Sequence, residues 1–424
     1  MQPSHRTIAV LGAGPIGLEA ALYARARGYT VRVYERGDIG EHVRRWSFVR
    51  LFSPWSLNVS TLGLEALRAG GHEAPNPDQC PTGAEFVQAY LEPLAASLAP
   101  HIERNTEVLA VSRRGLLKAD NPGGRRRARS PFRLLVETAG GEREDPADFV
   151  VDATGVYSMP ADLGDGGIPA LGERGLRGEI DYHPRDVLDR DRERFSGHTV
   201  LVVGSGYSAA TTLAALRALQ QDAPATRVVW VRRSSGPDPF PVYSPDPLPE
   251  RSRLGLEGNR IAAEPPQGFT VLSGVAILSL QKEGSRIRVD LRAVDGGGMP
   301  QAVVVDRIIA NVGYRPDTNL FRELQIHQCY ASEGPMALAA ALLGSGSGGD
   351  CLAQPSHGPE VLKNPEPGFY VVGAKSYGRR NDFLLRSGRE QVRDVFQLME
   401  DDPSLDLYSL APEATAPRPS DEDA

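Results

Sequence analysis

The chain has 424 residues, 41% of them apolar and 24% charged, and a formal net charge of −7. This length exceeds one compact core and predicts two domains, and the acidic balance excludes an extended nucleic-acid surface. Three scattered cysteines (Cys80, Cys329 and Cys351) exclude a disulfide framework, and no apolar run is long enough to span a membrane. A core strand begins within ten residues, which leaves no room for a signal peptide, so the expected location is the cytoplasm.

In chain order, apolar runs at 7–11 and 31–35 flank a helical stretch at 16–27, a β-α-β unit. The strand-to-helix turn reads Gly12-Ala13-Gly14-Pro15-Ile16-Gly17. Gly12 permits the tight turn, Gly14 lets backbone approach a pyrophosphate, and Gly17 lets the helix pack on the strand. Glu35 ends the second strand, where a carboxylate can accept hydrogen bonds from a ribose diol, and Arg36 follows it. The next segment, Trp46 to Trp55, is rich in aromatics and contains Arg50.

A helix is predicted over 82–98, capped by Thr82 with Glu85 three positions on, and Pro93 predicts a kink or break. Strands are expected at 106–112 (with Val108), 132–138 and 148–153. The run Arg125-Arg126-Arg127, set between Pro-Gly and Ser-Pro segments, predicts a solvated loop.

A second β-α-β unit spans 199–204, 208–221 and 227–232. Its turn, Gly204-Ser205-Gly206-Tyr207-Ser208-Ala209, lies 192 residues after the first. Ala209 takes the third small position. The second strand of this unit ends in Arg232-Arg233 with no acid, which suits a ribose 2′-phosphate and hence NADPH rather than NADH. Short β-rich runs follow over 269–311. Residues 234–250 hold six prolines and 344–349 are Gly- and Ser-rich, so both predict irregular chain, and 404–424 predicts a disordered tail.

Two further motifs extend the pattern: Asp148-Phe149-Val150-Val151-Asp152-Ala153-Thr154-Gly155, and Ile308-Ile309-Ala310-Asn311-Val312-Gly313-Tyr314-Arg315-Pro316-Asp317. With both glycine turns and a closing strand at 368–373, the chain resembles the FAD/NAD(P)H oxidoreductases that include flavin-containing monooxygenases and thioredoxin reductases. The resemblance implies an α/β fold of two Rossmann-like, three-layer ββα domains, the NADPH domain inserted into the FAD domain. The implied boundaries are 1–165 and 311–403 for FAD and 166–310 for NADPH.

The same resemblance places FAD against the first turn, Glu35, Arg36, Trp46, Val108, Thr154, Gly155 and Gly373. NADPH falls at the second turn and Arg232-Arg233. Many relatives have Asp after the last strand's glycine; here Ala374-Lys375 stand there, and backbone groups with Lys375 are expected to hold FAD. Arg50 is expected beside the flavin ring. A linker motif of flavin-containing monooxygenases is matched imperfectly around Gly178 to His183.

No Cys pair or CxxC is present for dithiol chemistry, and no His/Cys/Asp cluster has metal-ligand spacing. Cys351 and His357, in the loop before the last strand, are the other catalytic candidates beside Arg50. The leading reading is a monooxygenase acting on a small nucleophilic substrate with molecular oxygen through a C4a-peroxyflavin. A reductase serving a quinone, metal or thiol acceptor and a flavin-bound redox sensor stay open, as does a homodimer.

Overall fold

The computed structural model describes residues 6–296, 301–344, 352 and 356–409. Strand β1 (Thr7–Leu11) pairs in parallel with β2 (Thr30–Tyr34) on one side and β7 (Phe149–Asp152) on the other. With β3 (Ile102–Glu103) and β16 (Phe369–Val371) they form a five-stranded sheet ordered β16-β7-β1-β2-β3. Side chains of a strand alternate between the faces of its sheet, and both faces here are apolar. Ile8 and Val10, with Val31, Val33 and Val151, pack against the helices Pro15–Ala26 and Leu385–Glu400. Ala9 and Leu11 face the other way, onto a three-stranded antiparallel sheet of β4 (Glu107–Arg113), β5 (Phe132–Thr138) and β6 (Gly141–Ala147).

The second unit repeats this arrangement. Its parallel sheet runs β11-β10-β9-β15-β8, from Phe269–Ser273, Arg227–Arg232, Thr199–Val203, Arg307–Ala310 and Ile180–Asp181. Val200 and Val202 meet the helices Tyr207–Asp222 and Pro249–Ala263. Leu201 and Val203 meet the antiparallel sheet β12 (Val275–Glu283), β13 (Arg286–Ala293) and β14 (Gln301–Val305). Every strand of this unit falls between β7 and β16 of the first. The fold is therefore two three-layer α/β units, one inserted into the other.

Several local expectations are corrected. Arg125–Arg129 is a short helix rather than a solvated loop, and Arg127 is fully buried. Its Nε donates to Glu366 at 2.8 Å, while Arg113 donates to the other oxygen of the same carboxylate at 2.7 Å. Breaking such a buried arrangement leaves an uncompensated charge and costs about 3–5 kcal/mol. The irregularity expected at Pro93 takes the form of one wide turn, Val87–Leu91, between Gly83–Phe86 and Glu92–Ser97, and not of a full break.

The tail prediction fails for residues 404–409. Leu405 is buried in the first core, Tyr23 Oη accepts from the Leu407 N–H at 3.1 Å, and the Tyr408 hydroxyl donates to Glu19 at 3.3 Å. Residues 410–424 lie outside the described residues. Among the described residues no helix is long and apolar enough to cross a membrane.

Candidate functional site

Each glycine turn ends a central strand and opens a helix. The Gly12 N–H donates to Tyr34 O at 2.8 Å, and the Gly204 N–H donates to Val231 O at 3.1 Å. Both glycines have positive φ, +95° and +123°, and neither has room for a Cβ. At Gly12 that atom would stand 3.0 Å from Ala153 O, and at Gly204 it would stand 2.2 Å from Asn311 O. At Gly17 it would stand 1.9 Å from Gly12 O, so the first helix packs on its own turn through a bare Cα.

Gly14 and Gly206 are the N-cap residues of the two helices. Neither helix has a side-chain cap or an acidic residue in its first turn, where Pro15 and Ile16 stand in one and Tyr207, Ser208 and Ala209 in the other. Free N–H groups and the positive end of the helix dipole are thus left facing outward at both turns. Both can hold a phosphate.

The ends of the second strands differ. Glu35 is buried, and its two carboxylate oxygens accept from Ala13 N at 2.7 Å and Gly37 N at 2.9 Å. Burial pushes its carboxyl up, opposed by those two N–H donors. Its remaining lone pairs suit a ribose diol. Arg36, half-exposed, pairs with Glu107 at 3.2 Å, and Val108 beside it is partly buried on β4.

In the second unit Arg232 is buried and its guanidinium donates to Gly236 O at 2.6 Å, while its Nε has no partner. Burial lowers its pKa. Arg233 is exposed. An underbonded guanidinium with no acid beside it at the strand end suits a phosphate rather than a diol.

The segments that leave the two sheets run antiparallel to each other: Ala161 N donates to Gly313 O at 3.0 Å, and Arg315 N donates to Met159 O at 2.9 Å. Gly155 and Gly313 occupy equivalent left-handed positions on them. On this junction lies a group of rings that sequence reasoning did not assemble. Tyr157 stacks on His183 with centroids 4.3 Å apart, and His183 Nδ1 lies 3.0 Å from the Tyr314 hydroxyl. His42 approaches Tyr157 at 5.4 Å. Burial, with Arg45 nearby, pushes both imidazoles down to about 4. Only the tertiary fold brings positions 42, 157, 183 and 314 together, though Tyr157 and Tyr314 each follow closely on a motif glycine, two residues after Gly155 and one after Gly313.

Asn311 was also missed as a site residue. It holds the place that Ala153 holds in the first unit, and both polar atoms of its amide are buried without a hydrogen-bond partner. Superposing the two motifs residue by residue is the signal that singles it out.

A cavity of about 700 Å³ opens between the units. Its walls come from the second turn (Ser205 to Ser208), from Trp46 and Val49 to Ser53, from Phe240 to Leu248 with Arg251, and from Arg380 to Leu384. Arg50 lines it, donating to Cys80 O, with Glu85 3.8 Å away. Trp46 lines it as well, its ring resting on the bare Cα of Gly83.

The other expected site residues lie away from this cavity or outside the described residues. Lys375 is fully buried; its Nζ donates to Asp152 at 2.7 Å and to the Thr154 hydroxyl at 2.9 Å. The ammonium balances the only charged group on β7 instead of reaching outward, and it ties the end of β7 to the turn after β16. Ala374 sits in the same turn, where the Gly373 N–H donates to Gln391 at 2.8 Å. His357 lines a separate small pocket with Tyr377, Glu390 and Asp394, away from the 700 Å³ cavity. Cys351 lies outside the described residues. Among those residues, no group of His, Cys, Asp and Glu is arranged to hold a metal ion.

Residues 9–118 match the family described as pyridine nucleotide-disulphide oxidoreductase. Most of the chain superposes on solved structures. A bacillithiol disulfide reductase from Bacillus cereus aligns with TM-score 0.63 at 18% identity, over 94% of this chain and 99% of its own. The Kutzneria sp. 744 ornithine N-hydroxylase, solved with reduced FAD, NADP+ and L-ornithine, gives 0.61 at 17%, over 95% and 100%. The FAD-bound cadaverine monooxygenase of Erwinia amylovora gives 0.63 at 12%, over 98% and 99%. The chain has the fold of FAD/NADPH flavoprotein oxidoreductases. A shorter sequence similarity, 40% identity over 72 residues, joins it to kynurenine 3-monooxygenase of Emericella nidulans. That match spans 17% of this chain and 14% of the relative.

Proposed function

We propose that the protein is an FAD-dependent, NADPH-consuming oxidoreductase that oxygenates a small substrate. The observation that carries the two-nucleotide reading is the pair of uncapped glycine turns with opposite strand-end chemistry, Glu35 in one unit and Arg232 in the other, and the hydroxylase and monooxygenase neighbours favour oxygenation. In this reading residues 1–165 and 311–403 hold FAD and 166–310 hold NADPH, a layout that the FAD- and NADP+-bearing hydroxylase neighbour favours. The balanced reaction is substrate + O2 + NADPH + H+ giving oxygenated substrate, water and NADP+.

The bound flavin would supply hydride acceptance and oxygen activation. The chain's residues position and enclose. The turn at Gly12 and Glu35 would fix one dinucleotide, and Ser205 to Tyr207 with Arg232 and Arg233 would fix the other. The aromatic walls of the cavity would exclude water where the two meet. Arg50, with its guanidinium on that wall, supplies positive charge there.

The reductase neighbour favours a second reading, electron transfer to an external acceptor. Among the described cysteines, Cys80 and Cys329 are both free thiols, which gives no support to a dithiol route. The deciding experiment is anaerobic reduction of the FAD-loaded protein by NADPH, then rapid mixing with oxygenated buffer while absorbance is recorded. A distinct transient before oxidised flavin supports oxygenation. Direct return to oxidised flavin, with fast turnover of a quinone, supports the reductase.

A further inference from the structure

The cavity between the units has a charge pattern that selects among substrate classes. Its walls carry six aromatic rings: Trp46, Phe52, Tyr207, Phe240, Tyr243 and Phe383. Three guanidinium groups, Arg50, Arg251 and Arg380, stand against one carboxylate, Asp382. That carboxylate is already engaged by Arg380 through two short contacts, 3.1 and 2.5 Å. Arg251 is paired with buried Asp246 at 2.7 Å and lies 4.2 Å from the Tyr243 ring centre. Arg50 differs from both in its charge pairing: its Nη1 donates to the Cys80 carbonyl, a neutral acceptor, while its ion-pair partner Glu85 is 3.8 Å away, and both side chains of that pair are about half-exposed, 49% and 57%.

A cationic amine entering this cavity would meet positive charge and, among the described residues, no uncommitted carboxylate lining it. An acid would meet the guanidinium of Arg50, which can turn from a loose, solvated partner to a close one, and flat aromatic walls. Charge-assisted, two-point contacts of this kind are the strong class of polar contact, and they strengthen where water is excluded. The wall at Ser205 to Ser208 belongs to the nucleotide in the reading above, and the remainder, lined by Trp46, Phe52, Phe240, Tyr243 and Phe383 with Arg50, is where a small ligand would be enclosed away from water.

We propose that the substrate is a small aromatic carboxylate, its ring held between the aromatic walls and its carboxylate held by Arg50. This rests on the oxidoreductase reading above, and the test separates the two.

The probes are three compounds of one shape: 3-phenylpropanoate, 3-phenylpropanamide and 3-phenylpropylamine. Each is titrated into FAD-loaded protein saturated with NADP+, following the flavin difference spectrum. The acid should bind about tenfold or more tighter than the amide, with the amine weakest. In Arg50→Gln the acid's advantage over the amide should shrink to about threefold or less, and Arg50→Lys should restore part of it. In the unaltered protein, acid binding should weaken as pH falls through the probe's own carboxyl titration, while amide binding stays level, a readout that needs no variant.

Equal binding of the three probes, tightest binding of the amine, or no binding of any probe overturns the proposal. So does displacement of the acid by rising NADP+, or an unchanged acid preference in a folded Arg50→Gln. A protein that retains no FAD, or whose flavin NADPH does not reduce, overturns the underlying reading instead. Normal reduction with equal probe binding removes only the substrate class.

Discussion

The two glycine turns are nearly the same piece of backbone put to different electrostatic use. Each has a first glycine with positive φ whose N–H reaches the neighbouring strand, and each opens a helix whose leading N–H groups no side chain caps. Past that point they diverge. The first ends its second strand in a buried carboxylate accepting from two backbone N–H groups, and the second in a buried guanidinium. The first also packs its helix more tightly, through Gly17, where the second tolerates Ala209. On the proposed reading, the turn would recognise what dinucleotides share, while one side chain at a strand end would distinguish a ribose diol from a ribose phosphate.

The largest effect that separates the turns is steric. Gly17→Ala drives a methyl into the Gly12 carbonyl and should cost about 3 kcal/mol with loss of FAD retention. Ala209→Gly in the second helix should cost only about 1 kcal/mol, the ordinary penalty for glycine within a helix. Denaturant unfolding and flavin content of the two variants measure the contrast, and equal penalties would break it.

Next comes the strand-end chemistry. Arg232→Gln together with Arg233→Gln should lower the preference for NADPH over NADH by about 10- to 100-fold in kcat/KM. The loss should fall on NADPH, with NADH turnover little changed. A uniform fall for both nucleotides would mean that the arginines support the fold and do not read the phosphate.

The smallest effect concerns the junction between the units. His42 and His183 titrate near 4 in the folded protein, against about 6.5 when unfolded. Between those values the unfolded chain binds more protons, so stability should fall as pH drops from about 6.5 towards 4. His183→Phe keeps a ring on Tyr157 and removes one proton site. A plot of Tm against pH should then be shallower over that window, and an unchanged slope would remove His183 from the account.

Much of the fold was legible in the chain because it is local. Alternating apolar runs that end in Gly12 or Gly204 define strands buried on both faces, and the spacing to Glu35 and Arg232 places each side chain at the end of the adjoining strand. Those relations span a few dozen residues and rest on backbone geometry. That one unit is inserted in the other was implied by the family resemblance the four motifs carry, and the strand order bears it out.

What the sequence could not show depends on partners far along the chain. Arg127 looked solvated because its neighbours are turn-formers, yet Glu366, 239 residues later, makes it a buried ion. Lys375 stood where a ligand contact was expected, and Asp152, 223 residues earlier, takes its charge. The ring group of His42, Tyr157, His183 and Tyr314, and the cavity whose charge favours an acid, exist only where the two units meet. A sequence of residues determines which groups are present and which backbone shapes they permit. A charge finds its counter-charge, and a pocket its walls, only after burial has brought distant segments together, because both depend on distance in space and on the exclusion of water.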